Sequence, residues 1–139
     1  FIPLFDCNTY VYVWKKNPIA SKSSVSLQEL EKYPCLTFDQ GKTNSFYFAE
    51  EVFSTYEYKQ TIQVDDRASM LNLMVGLNGY TLCSGIICEE LNGSDYAAVP
   101  LKETEVMTIG YVKRKSIQLS ELAQLYVNEL AKYKKLVLK

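Results

Sequence analysis

Apolar residues fall in short clusters along this chain, and the spacing inside each cluster predicts an element. YVYVW (Tyr10–Trp14) is β-branched and aromatic throughout, the make-up of a buried strand. Lys15-Lys16-Asn17-Pro18 ends it, because Pro18 has no backbone donor. Ser26 followed three residues later by Glu29 has the form of a capping box, which predicts a short helix over 27–32, broken at Tyr33-Pro34. A strand over 35–39 (CLTFD) comes next. Beyond a polar loop over 40–45, Phe46, Ala49, Val52, Phe53 and Tyr56 keep helical spacing behind a cap at Asn44 or Ser45. Glu50 and Glu51 fall on the solvated face of that helix, where adjacent side chains do not meet as a catalytic pair.

The stretch 60–100 is the most regular. It predicts a strand at Thr61–Val64, a helix over 67–76 capped by Asp65 or Asp66, and a strand at Tyr80–Cys83 entered through Gly76 and Gly79. Met70, Leu71, Met74 and Val75 form the predicted buried stripe of that helix. A short helix over 86–91 and a strand over 96–101 follow, and Pro100 makes that strand an edge or a crossing segment. The last elements are a strand over 107–112 and a helix over 119–133 carrying Leu122, Leu125, Tyr126, Glu129 and Leu130 on one face. Strands alternating with helices argue for an α/β fold with parallel pairing, and ligands bind such sheets at the carboxyl ends of their strands. The strands at 10–14 and 107–112 enclose everything else. The simplest packing puts both, with the final helix, in one lobe (1–33 and 101–139) and makes 34–100 a second, complete lobe.

Charge and composition narrow the function. With 15 basic and 16 acidic residues, a net charge of −1 gives no basic footprint for nucleic acid. Hydrophobic residues at 47% and charged ones at 22% suit a folded globule, and no apolar run approaches the roughly 20 residues that span a bilayer. The chain opens on FIPLFDCNTY, with neither a secretory signal nor an initiator methionine, and reads as a piece of something longer. Cys7, Cys35, Cys83 and Cys88 form no CxxC pair and read as reduced thiols of a cytoplasmic protein. There is no histidine, which removes Ser-His-Asp and Cys-His catalysis and imidazole metal sites. No metal or cofactor is expected. An enzyme could still use paired carboxylates or a lysine, but nothing in the pattern assembles them.

Several words in the chain carry a resemblance. Asn17-Pro18-Ile19-Ala20 after a strand is similar to an HPLA motif, with asparagine in place of the histidine. Ser26-Leu27-Gln28-Glu29-Leu30 leading to Tyr33-Pro34, Gly76-Leu77-Asn78-Gly79-Tyr80, Val99-Pro100-Leu101 and IGYVKRK before an amphipathic helix complete the set. Over residues 3–133 the chain resembles the effector-binding domain of LysR-type transcriptional regulators. Asn8, Tyr33-Pro34, Thr37, Gly41, Thr43 and Ser45 resemble the branch that activates cysteine biosynthesis.

The resemblance implies a periplasmic-binding-protein-like (type 2) two-lobed fold, with the second lobe complete and the first partial. It implies a regulatory domain that performs no chemistry and binds a small metabolite between its lobes, from sulfur or cysteine metabolism, such as an acetylated serine or an oxyanion. Thr43 would be the principal contact, surrounded by Gln40, Gly41, Asn44 and Ser45. Asp65, Asp66, Arg67 and Ser69 at the next strand–helix junction would line the same cleft. Asn44 and Asp66 are equally readable as ordinary helix caps, and Arg67 as a surface ion-pair partner. DNA would be reached only through an N-terminal helix-turn-helix domain outside this chain. A partial first lobe would expose Tyr10, Tyr12, Trp14, Ile109, Tyr111 and the last helix, favouring a homo-oligomer, most simply a dimer. The alternative of the same architecture is a solute-binding receptor.

Overall fold

The computed structural model describes residues 1–39, 53, 56–103 and 105–137. The elements are β1 (Ile2–Asn8), β2 (Tyr10–Trp14), a 3-10 turn (Pro18–Ser21), α1 (Leu27–Leu30), β3 (Cys35–Phe38), β4 (Thr61–Val64), α2 (Arg67–Leu77), β5 (Tyr80–Cys83), α3 (Glu89–Asn92), β6 (Tyr96–Pro100), β7 (Val106–Tyr111) and α4 (Glu121–Val137). The chain separates into two units: Asn8–Glu105, and Phe1–Cys7 together with the chain from Val106 onward.

The larger unit is built on a five-stranded sheet in the order β4-β3-β5-β2-β6. β3 pairs in parallel with β4 and with β5, whereas β2 runs antiparallel to both β5 and β6. Pro100 therefore sits on an edge strand, as its missing donor requires. Each face of the sheet carries its own core. On one face Val11, Val13, Cys35, Tyr80 and Val99 pack with Ile19, Val25, Leu27 and Leu30. On the other, Tyr12, Leu36 and Val64 pack with Met70 and Met74 of α2. The α2 stripe is thus Met70 and Met74 with Leu71 and Leu73 beside them, while Val75 is exposed.

Local signals in the sequence act as expected. Ser26 and Glu29 form the complete capping box: the Ser26 amide donates to Glu29 Oε2 at 2.9 Å, and the Glu29 amide donates to Ser26 Oγ at 3.3 Å. Asn17 is buried, and both ends of its side chain are used. Its Oδ1 accepts from the Ile19 amide at 2.9 Å, and its Nδ2 donates to the Asn78 carbonyl at 2.9 Å. The polar residue of the Asn-Pro-Ile-Ala word therefore ties the 3-10 turn to the left-handed residue that ends α2.

Two expectations are corrected and one element is added. Tyr10–Trp14, expected in one lobe with the 107–112 strand, lies inside the five-stranded sheet, between β5 and β6, whereas that strand pairs with β1. Tyr12 is consequently 7% exposed, and Tyr10 and Trp14 are half-buried, so these residues do not form an uncovered patch. Finally, 2–8 is a strand that the pattern did not predict, because Pro3 and Asp6 interrupt its apolar residues. It pairs with β7 in a two-stranded sheet. Within this smaller unit the Thr108 hydroxyl donates to Asp6 Oδ1 at 2.7 Å, and Cys7 Sγ to the Met107 carbonyl at 3.4 Å. On α4, Leu122, Leu125 and Tyr126 are exposed, and Ala123, Val127 and Leu130 form the half-buried side.

Candidate functional site

Strand direction marks out a candidate edge. β3, β4 and β5 point the same way, and β6 joins them because both it and β5 oppose β2. The carboxyl edge of the larger unit therefore gathers Asp39, Asp65-Asp66, Ser84-Gly85 and Pro100, along with Tyr10 at the start of β2. The Asp39 amide donates to the Val64 carbonyl at 2.9 Å, carrying the parallel pairing one residue past β3. At this edge backbone amides and helix starts converge, which is why parallel sheets bind small polar molecules there.

Four sequence-predicted site residues occupy the β4–α2 junction. Asp65, Asp66 and Arg67 are exposed and Ser69 is half-buried. Asp66 is the N-cap: its Oδ1 accepts from the Ser69 amide at 2.9 Å. Bonds from the Ser69 hydroxyl and amide, and from the Ala68 amide, hold its carboxyl below the ordinary value of 3.8. The Ser69 amide of the first turn is thus taken by Asp66, which is engaged in the cap. Arg67 Nη1 donates to Asn92 Oδ1 of α3 at 2.9 Å, and among the described residues it makes no ion pair. Gln40, Gly41, Thr43, Asn44 and Ser45 lie outside the described residues.

A depressed carboxylate pKa has a defined pH signature. The Asp66 cap stabilises the fold fully above the ordinary carboxylate pKa, and this stabilisation is lost as pH falls through the lower folded value. Asp66→Ala should therefore melt a few degrees below the parent chain at neutral pH, and the gap should close in acid. A gap that persists undiminished in strong acid would assign the stabilisation to something other than the charged cap.

Tyr10 and Gly85, which the sequence did not assign to a site, complete the edge. Gly85 has φ +78°, and a Cβ placed there would lie 2.6 Å from Cδ2 of Tyr10, so the Tyr10 ring rests directly on the glycine. Its amide donates to Cys83 Sγ at 3.3 Å. Tyr12, two residues along β2 on the same face, stacks on Tyr96 with ring centroids 5.3 Å apart. The alternation in YVYVW carries the signal for this pair, since Tyr10 and Tyr12 must share a face.

Elsewhere, an open depression of about 490 Å³ is lined by Gln28, Glu29, Glu31, Lys32 and Lys59. Its acids are already matched: Glu29 with Lys22 and Lys102, Glu31 with Lys59. Exposed pairs of this kind contribute little to stability. Among the described residues no group of acidic or sulfur ligands could hold a metal ion, and no helix is long and apolar enough to cross a membrane.

Comparison with known proteins agrees with this architecture. The family model for the LysR substrate binding domain matches residues 1–135. The effector-binding domain of QuiR, solved in complex with shikimate, is 20% identical with a TM-score of 0.63, covering 97% of this chain and 65% of that one. A LysR family regulator from Pseudomonas aeruginosa, the PA01 protein, is 18% identical with a TM-score of 0.65, covering 96% of this chain and 48% of its own. Oxidised OxyR from Corynebacterium glutamicum is 19% identical with a TM-score of 0.66, covering 98% and 44%. The chain thus spans less than two thirds of the length of each of these proteins. No curated protein matches it.

Proposed function

The chain belongs to the LysR substrate binding domain family, with a periplasmic-binding-protein-like type 2 fold, and from that premise we propose that it senses a small sulfur- or cysteine-related metabolite for a transcriptional regulator. The family match over residues 1–135 is the observation that carries this reading. The finer assignment to an acetylated serine or a small oxyanion is supported by the run Tyr33-Pro34, Thr37, Gly41, Thr43 and Ser45. Thr43 is the principal contact in this reading, with Gln40, Gly41, Asn44 and Ser45 around it and the 65–69 junction nearby. The domain does no chemistry on its ligand. Binding shifts the population of its conformations, and the change passes to the DNA-binding part of a full-length cytoplasmic regulator. Self-association belongs to the same reading, favoured by the exposed Leu122, Leu125 and Tyr126 of α4.

A thermal-shift screen tests the effector class, using O-acetylserine, N-acetylserine, sulfate, thiosulfate and cysteine, with shikimate added because QuiR binds it. A ligand present at 100 times its Kd stabilises by about 2.7 kcal/mol, on the order of 5–10 °C for a chain of this size. We expect a shift of that order with one of the sulfur-pathway compounds, abolished in Thr43→Ala. A shift with shikimate alone would replace the sulfur assignment. A shift that survives Thr43→Ala would move the site away from the 40–45 loop.

A further inference from the structure

The chain holds two Asn-Gly pairs, Asn78-Gly79 and Asn92-Gly93. An asparagine before glycine is especially open to deamidation, because no Cβ shields the following amide nitrogen as it attacks the asparagine Cγ. The fold treats the two pairs differently. Asn78 ends the 11-residue α2 in a left-handed conformation, and its carbonyl accepts from the buried Asn17. Gly79 behind it is buried, its amide donates to the Met74 carbonyl at 3.1 Å, and a Cβ there would meet the Pro34 carbonyl at 3.0 Å. Asn92-Gly93 lacks this cover. It closes α3, a single turn whose N-cap, Cys88, makes no side-chain capping bond. Gly93, Ser94 and Asp95 are exposed, and a Cβ at Gly93 would meet no atom of the described residues within 4 Å. The Gly93 amide donates to the Glu89 carbonyl at 2.8 Å, inside a turn too short to resist fraying. The Asn92 side chain is held at both ends. Its Nδ2 donates to the Cys88 carbonyl at 3.1 Å, and its Oδ1 accepts from Arg67 Nη1 at 2.9 Å. A charged donor on that oxygen draws electrons from Cγ and favours the negative charge that an attack there creates.

We propose that Asn92 is a self-modification site, deamidating through a cyclic imide with Arg67 as the activating group, and that the acid formed becomes an ion-pair partner for Arg67. In the first step the Gly93 nitrogen, having given its proton to water, bonds to Asn92 Cγ, and negative charge builds on Oδ1 against Arg67. The Cγ–Nδ2 bond then breaks, and the nitrogen leaves as ammonia with protons supplied by water. A water molecule opens the imide at either carbonyl, giving aspartate or isoaspartate. One water is consumed, one ammonia is released, and no electrons are exchanged. Either product carries a carboxylate where a neutral amide faced Arg67. Among the described residues Arg67 makes no ion pair, so the new charge meets a cation that no carboxylate has claimed. The neutral tie between α2 and α3 thereby becomes a charged one, at the start of α2 on the carboxyl edge of the sheet. None of this depends on the identity of the effector.

The test incubates the folded chain at mildly alkaline pH and follows both Asn-Gly pairs by peptide mapping and mass-spectrometric sequencing. Asn92 should gain the mass of an acid first, with Asn78 several-fold slower. Arg67→Ala should slow the reaction at Asn92 several-fold. In urea the two pairs should react alike, and the effect of Arg67→Ala should vanish. Asn78 reacting as fast as Asn92 in the folded chain overturns the site. A preference for Asn92 that persists in urea overturns it too, by tracing the difference to local sequence. An Asn92 rate that is unchanged or raised in Arg67→Ala overturns the activation and leaves the Arg67 bond a mere restraint on the turn. Asn92→Asp supplies the product directly. In a double-mutant cycle read by thermal melting, Arg67→Ala should lower the melting temperature of Asn92→Asp more than that of the parent, by a difference that salt diminishes. Equal losses in the two backgrounds overturn the ion pair.

Discussion

Leu36→Ala should cost the chain about 2–5 kcal/mol, a large share of the roughly 5–15 kcal/mol that holds a domain folded. Leu36 has no exposed surface and sits in β3, the strand that joins β4 to β5 in parallel. Its side chain is packed in one cluster with Tyr12, Val64, Met70 and Met74, so truncation leaves a cavity between sheet and helix that neither rigid layer can close. Urea denaturation followed by circular dichroism should show a midpoint well below that of the parent chain with an unchanged slope. A midpoint shifted by less than the equivalent of about 1 kcal/mol would mean that α2 does not depend on this contact.

Gly85→Ala should be nearly as damaging, for two separable reasons. The positive φ of +78° places any L-residue in a disfavoured region, at about 1–2 kcal/mol. The new Cβ would also lie 2.6 Å from the Tyr10 ring, forcing the ring aside at a further cost of about 1–3 kcal/mol. The two contributions can be separated with a double-mutant cycle. In a Tyr10→Ala background the clash disappears and only the backbone strain remains, so Gly85→Ala should cost less there than in the parent chain. Equal costs in both backgrounds would show that the ring does not rest on Gly85. Because Tyr10 and Gly85 lie on the carboxyl edge of the sheet, the same substitution should also impair the ligand response.

These two residues show unequal legibility. Leu36 lies in a recognisable buried strand, CLTF, and its importance follows from local composition. Gly85 reads as a turn glycine, and nothing near it in sequence announces a tyrosine 75 positions away. The same contrast holds at the candidate site. Asp66 was readable as a cap, since an acid before an amphipathic stretch satisfies the amides of a first turn. The Arg67–Asn92 bond and the Tyr12 hydroxyl, without a partner among the described residues, were not, because each depends on segments brought together only by the sheet.

The sequence by itself determined what short-range physics encodes: the strands Tyr10–Trp14, Thr61–Val64 and Tyr80–Cys83, the capping box at Ser26 and Glu29, an aspartate cap on α2, and a Pro100 strand confined to an edge or a crossing. Residue period, caps and a missing amide act within a few positions of their source, so they survive in the one-dimensional pattern. Tertiary structure alone decided that Tyr10–Trp14 pairs with β5 and β6, that Ile2–Asn8 forms a strand beside β7, and that Leu122, Leu125 and Tyr126 remain exposed. A strand's periodicity states which side chains share a face, but not which distant backbone will bond its edge. That choice depends on register and burial across the whole unit, and it sets Tyr12 beneath α2 with its hydroxyl unmatched among the described residues.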